Sequence, residues 1–155
     1  RKEGRRMISR SKIKVRYAET DQMGIAHHSN YPIWYEVART DLMKKMGMTY
    51  TQIEEQGLIV PLLELQCKYI SAAYFEDNLI VEASLKNATA VKLEFEYAIF
   101  REGDEEPLNV GRTLHALVGK DLRPVNVKKE YPELYQKLIS AVENESPLLE
   151  EKKEE

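Results

Sequence analysis

From Tyr17 the chain runs Tyr-Ala-Glu-Thr-Asp-Gln-Met-Gly-Ile-Ala-His-His-Ser-Asn-Tyr, which places a carboxylate, Asp21, seven residues before His28 at the mouth of an expected helix. Backbone N–H groups at a helix N-terminus lack intrahelical partners and carry partial positive charge. They can hold the oxygen of a polarised carbonyl, as an oxyanion hole does. An aspartate on the preceding loop could then attack that carbonyl or activate a water against it. Gly24 would let the loop turn tightly. The arrangement suits acyl transfer.

Other chemistries fit the residues less well. His27 and His28 are adjacent, so their side chains are expected to diverge, and a metal site built from Asp21, His28 and His115 is not expected. Glu36 and Arg39 stand three apart on the helix and read as a salt bridge, with Glu36 a reserve base. Cys67 reads as a small core residue. His115 is expected to satisfy a sheet or interface hydrogen bond. Tyr31, Trp34 and Tyr35 are core positions, one of which could line an acyl tunnel. No G-x-S-x-G elbow occurs, which argues against a serine hydrolase.

The elements that must position this loop follow from periodicity. Ile13, Val15 and Tyr17 alternate with Lys12, Lys14 and Arg16, which predicts a strand. After the irregular stretch 19–29 a helix is expected from Asn30 to Met46, capped by Ser29 or Asn30, with Pro32 in its first turn and Gly47 stopping it. Its face Tyr31, Tyr35, Ala38, Leu42 and Met46 is apolar, and Trp34, Ile33, Val37 and Met43 widen it. A helix apolar over most of its circumference should be enclosed, and only a sheet is at hand to enclose it. Strands are expected at 60–71, 78–87, 91–101 and 107–120, followed by a helix at 132–142. Short turns between the strands imply antiparallel neighbours. The fold class is therefore α+β, a curved antiparallel sheet wrapped around one long central helix. Exposed sheet edges beside a single helix point to a homo-oligomer.

Composition sets the outer bounds. The 155 residues suit a single domain, expected over 1–145, with 1–9 as an N-terminal extension around a natural start at Met7 and 146–155 as a charged, disordered tail. A net charge of −3 offers no broad cationic field, so nucleic acid is not an expected partner. One cysteine rules out an internal disulfide and suits a reducing compartment. No signal peptide and no membrane-length apolar run is visible, so a cytoplasmic location without membrane insertion is expected.

The segment resembles the signature of the 4-hydroxybenzoyl-CoA thioesterase family of hotdog proteins. Tyr17, Glu19, Thr20, Asp21, Gly24, His28 and Tyr31 match its spacing, and Tyr35, Glu36, Ala38 and Arg39 match the helix that follows. The stretch Gly111 to Val118, ending at Arg123-Pro124, is similar to the family's last strand. The resemblance implies a hotdog fold acting on acyl-CoA thioesters, as a dimer or tetramer with active sites at subunit interfaces. It implies Asp21 as nucleophile or general base and the His28 backbone N–H as the group that polarises the thioester carbonyl. Gly24, His27 and Tyr31 are assigned to the substrate pocket, and His27 departs from the Tyr or Phe of many relatives, a change that bears on the pocket's polarity and acyl preference. Coenzyme A would be part of the substrate, so no cofactor is expected. Its phosphates call for cations at the tunnel mouth, and Lys92 and Arg123 are the candidates. The alternatives are a hotdog hydratase or dehydratase, whose Asp–His spacing of five is not met here, and a non-catalytic acyl-CoA binder.

Overall fold

Strands β4 (Asn78–Ala88) and β5 (Lys92–Arg101) carry the cleanest alternation in the sequence, and in the computed structural model, which describes residues 6–143, they pair antiparallel at the centre of the sheet. Leu79, Val81, Ala83 and Leu85 of β4, with Leu93, Phe95, Tyr97 and Ile99 of β5, all point inward and are buried. Alternate residues face outward, where ion pairs cross neighbouring strands: Arg10 with Glu82 at 2.9 Å and Arg112 with Glu94 at 3.1 Å. The full sheet has the order β1-β4-β5-β6-β3, with β1 at Ile8–Lys14, β3 at Leu62–Tyr69 and β6 at Asn109–Ala116. A two-stranded ladder joins β2 (Leu58–Ile59) to β7 (Val118–Gly119).

Helix α1 (Asn30–Lys45) lies in the concave face of this sheet and buries Tyr31, Trp34, Tyr35, Ala38, Leu42 and Met43. One helix in a curved antiparallel sheet is the expected hotdog fold. Tyr35 stacks on Tyr97 with ring centroids 4.3 Å apart and donates its hydroxyl to Asn109 Oδ1. A side chain at Gly111 would strike that hydroxyl and approach the Gln66 carbonyl at 2.6 Å, so glycine is required there. Among the described residues, no helix is long and apolar enough to cross a membrane.

Several expectations need correction. The first strand begins at Ile8, earlier than its apolar alternation suggested, because two of its inward residues are serines. Ser9 Oγ donates to the Ala38 carbonyl at 3.1 Å and Ser11 Oγ donates to Asp41, so hydroxyls bonded to α1 replace apolar side chains. Tyr17 is outside the strand, in a 3-10 turn at Tyr17–Glu19, and is 77% exposed. Of the expected extension 1–9, residues 6–9 take part in the fold. The Met7 N–H donates to the Ala141 carbonyl at 3.0 Å, and Arg6 pairs with Glu96 at 2.7 Å. Residues 1–5 and the expected tail 146–155 lie outside the described residues.

The helix is also less enclosed than expected, since Ile33 is 58% exposed and Val37 40%. The sheet covers one side of α1 and leaves the β3 side open. Strands β3 and β4, consecutive in sequence, are not neighbours; the segment between them crosses the end of the sheet, where the Ala73 carbonyl accepts from the Ala26 N–H at 2.8 Å. The strand expected at 60–71 is shortened to β3, and the one expected at 107–120 is divided into β6 and β7. Two short helices were not anticipated, α2 (Tyr50–Glu55) and α3 (Val127–Glu130), whereas α4 (Pro132–Val142) falls where expected. The signal for α2 was present: Thr49 and Gln52 form a reciprocal capping box.

Candidate active site

Asp21 opens a tight turn that projects ahead of α1. Its N–H donates to the Ile25 carbonyl and its own carbonyl accepts from Gly24, both at 2.9 Å. Gly24 closes the turn with φ +79°, a conformation that favours glycine. The Asp21 side chain caps the turn through Oδ1, which accepts from the Met23 N–H at 2.8 Å. Its other oxygen, Oδ2, has no partner among the described residues.

Glu19 anchors this loop from below. Its buried carboxylate accepts from the Arg16 N–H at 2.8 Å, from the Trp34 indole at 3.2 Å and from the Arg16 guanidinium at 3.3 Å. Burial pushes the carboxyl up, but these hydrogen bonds outweigh it and hold the group below its usual value. The Glu19 carbonyl accepts from the His27 N–H and from Asn30 Nδ2, each at 2.8 Å. The sequence reading gave Glu19 a place in the signature but no task. Its task is to join the loop to the first turn of α1.

The helix entrance differs from expectation in one respect. Ser29 occupies the N-cap position but makes no capping bond. Its N–H donates to His27 Nδ1 at 3.2 Å, and its hydroxyl lies 2.8 Å from the same nitrogen. A neutral His27 therefore carries its proton on Nε2. The two histidine rings do not diverge; their centroids lie 4.0 Å apart with the planes tilted by 32°. The His28 N–H is left without an acceptor among the described residues, while the His28 carbonyl accepts from the Tyr69 hydroxyl at 3.0 Å. Tyr31 is buried beneath, edge-on to Trp34 and Tyr69 at 4.8 and 5.0 Å. The loop therefore brings together Asp21, Gly24, His27, His28 and Tyr31, and adds Glu19 and Tyr69. Among the described residues no group of three or more metal-ligand side chains is assembled.

Lys92 and Arg123 are not brought to this loop within one subunit. Arg101, at the other end of β5 from Lys92, marks the loop end of the sheet by donating to the Ala72 carbonyl at 2.6 Å. Lys92 is therefore about 30 Å away along the strand, at the rise expected of antiparallel β-structure. Arg123 lies by β7, where its carbonyl accepts from the Gly119 N–H at 2.9 Å.

From the first turn of α1, a cavity of about 330 Å³ runs between the helix and the edge strand β3. Pro32, Ile33, Val60, Leu62 and Leu65 form its apolar walls, and Glu36, Arg39, Thr113 and His115 form its polar part. Glu36 approaches Arg39 only to 3.8 Å. His115 is buried, with Nε2 2.9 Å from the Thr113 hydroxyl and Nδ1 3.3 Å from the Val60 carbonyl, a role within the sheet as expected. Cys67 is half-buried against the Tyr35 hydroxyl and the Asn109 amide, each at 3.3 Å.

Comparison with known proteins gives a consistent result. The family model described as the thioesterase-like superfamily matches residues 15–139. A Bacillus subtilis protein named "Putative acyl-CoA thioesterase YneP" is 32% identical over 127 residues, which is 81% of this chain and 91% of that one. The crystal structure of a DHNA-CoA thioesterase from Staphylococcus aureus superposes with a TM-score of 0.81 at 30% identity, covering 86% of this chain and 90% of that chain. A hypothetical protein, TT1821, from Thermus thermophilus superposes at 0.78 with 34% identity, covering 86% and 98%. These relatives support the superfamily and do not single out its 4-hydroxybenzoyl-CoA branch.

Proposed function

The chain belongs to the thioesterase-like superfamily and is a thioester hydrolase; on that premise we propose that it converts an acyl-CoA to the free acid and coenzyme A, with Asp21 as the working carboxylate. The observation that carries this reading is a free backbone donor at the entrance of α1 and a free carboxylate oxygen on the turn just ahead of it. Among the described residues the His28 N–H has no acceptor, and Asp21 Oδ2, on the turn ahead of α1, has no partner.

A thioester carbonyl oxygen received by the His28 N–H would be polarised there, with the positive end of α1 stabilising the developing oxyanion. Asp21 then has two routes. As nucleophile it forms a mixed anhydride and expels the CoA thiolate, and water cleaves the anhydride to regenerate the carboxylate. As general base it takes a proton from a water that attacks the carbonyl directly. In both routes the products are one carboxylic acid and one thiol. Gly24, His27 and Tyr31 shape the entrance, and the cavity along α1 receives the acyl group.

Two features support a site completed by a second copy. Among the described residues strand β3 pairs with β6 on one side only, and its inward residues Leu62 and Leu65 are exposed beside Ile33. Antiparallel pairing of two β3 edges about a twofold axis would continue the sheet, cover these residues and set the Leu62 end of one strand against the Tyr69 end of the other. The partner subunit's Lys92 and the partner subunit's Arg123 would then approach the Asp21 loop, where the phosphates of coenzyme A need cations.

Thiol release from a panel of aliphatic and aromatic acyl-CoAs, with wild type and Asp21→Asn in parallel, tests the reading. A fall of about a hundredfold or more in kcat with binding retained is expected. Equal rates would remove Asp21 from the chemistry and bring Glu36 forward. Binding without turnover in both proteins would leave a binder.

A further inference from the structure

The cavity along α1 ends on a cation whose surroundings do not balance its charge. The Arg39 side chain is only 12% exposed. Its Nε donates to the Tyr50 hydroxyl at 3.1 Å and its Nη1 to the Tyr97 hydroxyl at 3.0 Å. The Phe95 ring lies 6.0 Å from the guanidinium carbon. A guanidinium carries five N–H groups. The other three find no hydrogen-bond acceptor among the described residues.

None of the groups facing Arg39 compensates it well. Glu36 stands 3.8 Å from Nη2, beyond hydrogen-bond length, and is 70% exposed to solvent. Burial pushes the Tyr50 hydroxyl up to about 12 and raises Tyr97 as well, so both stay neutral. Burial and the charge of Arg39 drive His115 down to about 4, so it too is neutral at ordinary pH. A buried positive charge with unused donors is costly unless something pairs with it. Here Arg39 lines a cavity whose other end is Pro32, in the first turn of α1 that follows the proposed carbonyl site.

We infer that this cavity takes an acyl group with an apolar body and a carboxylate at its far end, the carboxylate being received by Arg39. The inference rests on the hydrolase reading, which fixes the carbonyl end at the Asp21 loop. Arg39 stands about 14 Å along the axis from Asn30, at the α-helical rise per residue. Its side chain leans back toward the helix N-terminus, which shortens the gap. That span suits a medium-length dicarboxylic acyl group and leaves acetyl far short of the cation. Two parallel N–H···O bonds from a guanidinium to a carboxylate are strong and directional. Glu36, held loosely, would give way into solvent.

The test compares adipoyl-CoA with hexanoyl-CoA, equal in chain length, in wild type, Arg39→Met and Glu36→Gln. Adipoyl-CoA is expected to have the higher kcat/KM by about tenfold or more, mostly through KM. The advantage should vanish in Arg39→Met and grow in Glu36→Gln, which removes the competing carboxylate. Adipate and hexanoate binding, followed by calorimetry and by the His115 ring resonances, reads the cavity without turnover. A carboxylate beside Arg39 should raise the His115 pKa, and hexanoate should not. Wild type that hydrolyses both esters without favouring adipoyl overturns the inference and leaves the hydrolase reading intact. Arg39-dependent adipate binding without hydrolysis of either ester does the reverse. Should Arg39→Met fail to fold, an unchanged adipoyl-to-hexanoyl ratio in Glu36→Gln overturns it.

Discussion

The Tyr69 hydroxyl, on edge strand β3, donates to the main-chain carbonyl of His28 at 3.0 Å. The peptide on the far side of the His28 Cα carries the unused N–H, so this one bond steadies the donor proposed to hold the thioester oxygen. Burial, with the Cys67 thiol beside it, pushes the Tyr69 phenol up, so it stays protonated and keeps donating at neutral pH. It also ties the helix entrance to the strand at which a second subunit is proposed to join. Tyr69→Phe should lower kcat about fivefold, the loss expected for one hydrogen bond of ~1 kcal/mol. KM should change little. Steady-state thiol release measures both, and an unaltered kcat would show that His28 needs no brace.

Glu19 presents two oxygens to three donors, and a neutral amide cannot replace it. Glu19→Gln turns an NH2 group toward either the Trp34 indole or the Arg16 N–H, setting donor against donor in a buried space. The expected loss is about 1–3 kcal/mol of folding stability, the usual result when a buried polar group loses its partner. Urea unfolding gives the number directly. A variant as stable as wild type would mean that the loop is anchored elsewhere.

His115 makes stability depend on pH in a defined window. Its folded pKa is lowered from 6.5 to about 4. Above pH 6.5 both folded and unfolded states keep it neutral, and its contribution is complete. As pH falls below 6.5 the unfolded chain takes a proton that the folded chain refuses, so stability declines until about pH 4. The loss from this group can reach about 3 kcal/mol at 1.36 kcal/mol per pKa unit. His115→Gln should flatten the curve of Tm against pH across that window. Glu19, whose folded pKa is lowered, adds a separate loss below its ordinary value near 4.5.

Leu65 tests the proposed pairing of β3 edges. It is an exposed apolar residue on the inward face of an edge strand and forms part of the cavity wall. Leu65→Lys would bury a charge if a second strand joined there. The expected result is a folded monomer by sedimentation velocity, with thiol release lost because the phosphate-binding cations no longer arrive. A variant that keeps the oligomeric state of wild type would place the interface elsewhere.

The sequence was informative where the physics is local. Periodicity two in β4 and β5 and helical spacing in α1 are properties of neighbouring residues, so the α+β class and the long helix could be read directly. The spaced run from Tyr17 to Tyr31 identified the loop, because Asp21 and Gly24 are held by bonds within a few residues of one another. Tertiary structure decided the rest. Ser9 and Ser11 look polar in sequence and are buried because α1 offers them acceptors. Lys92 was a candidate because it is a cation on the polar side of its strand, and only the tertiary structure shows that it lies at the opposite end of β5 from the Asp21 loop. Glu36 and Arg39 read as a salt bridge, and the pair forms, loosely, at 3.8 Å. That Arg39 is also buried, with Tyr50 and Tyr97 accepting from it and three N–H groups left facing the cavity, arises only when residues distant in sequence close around it.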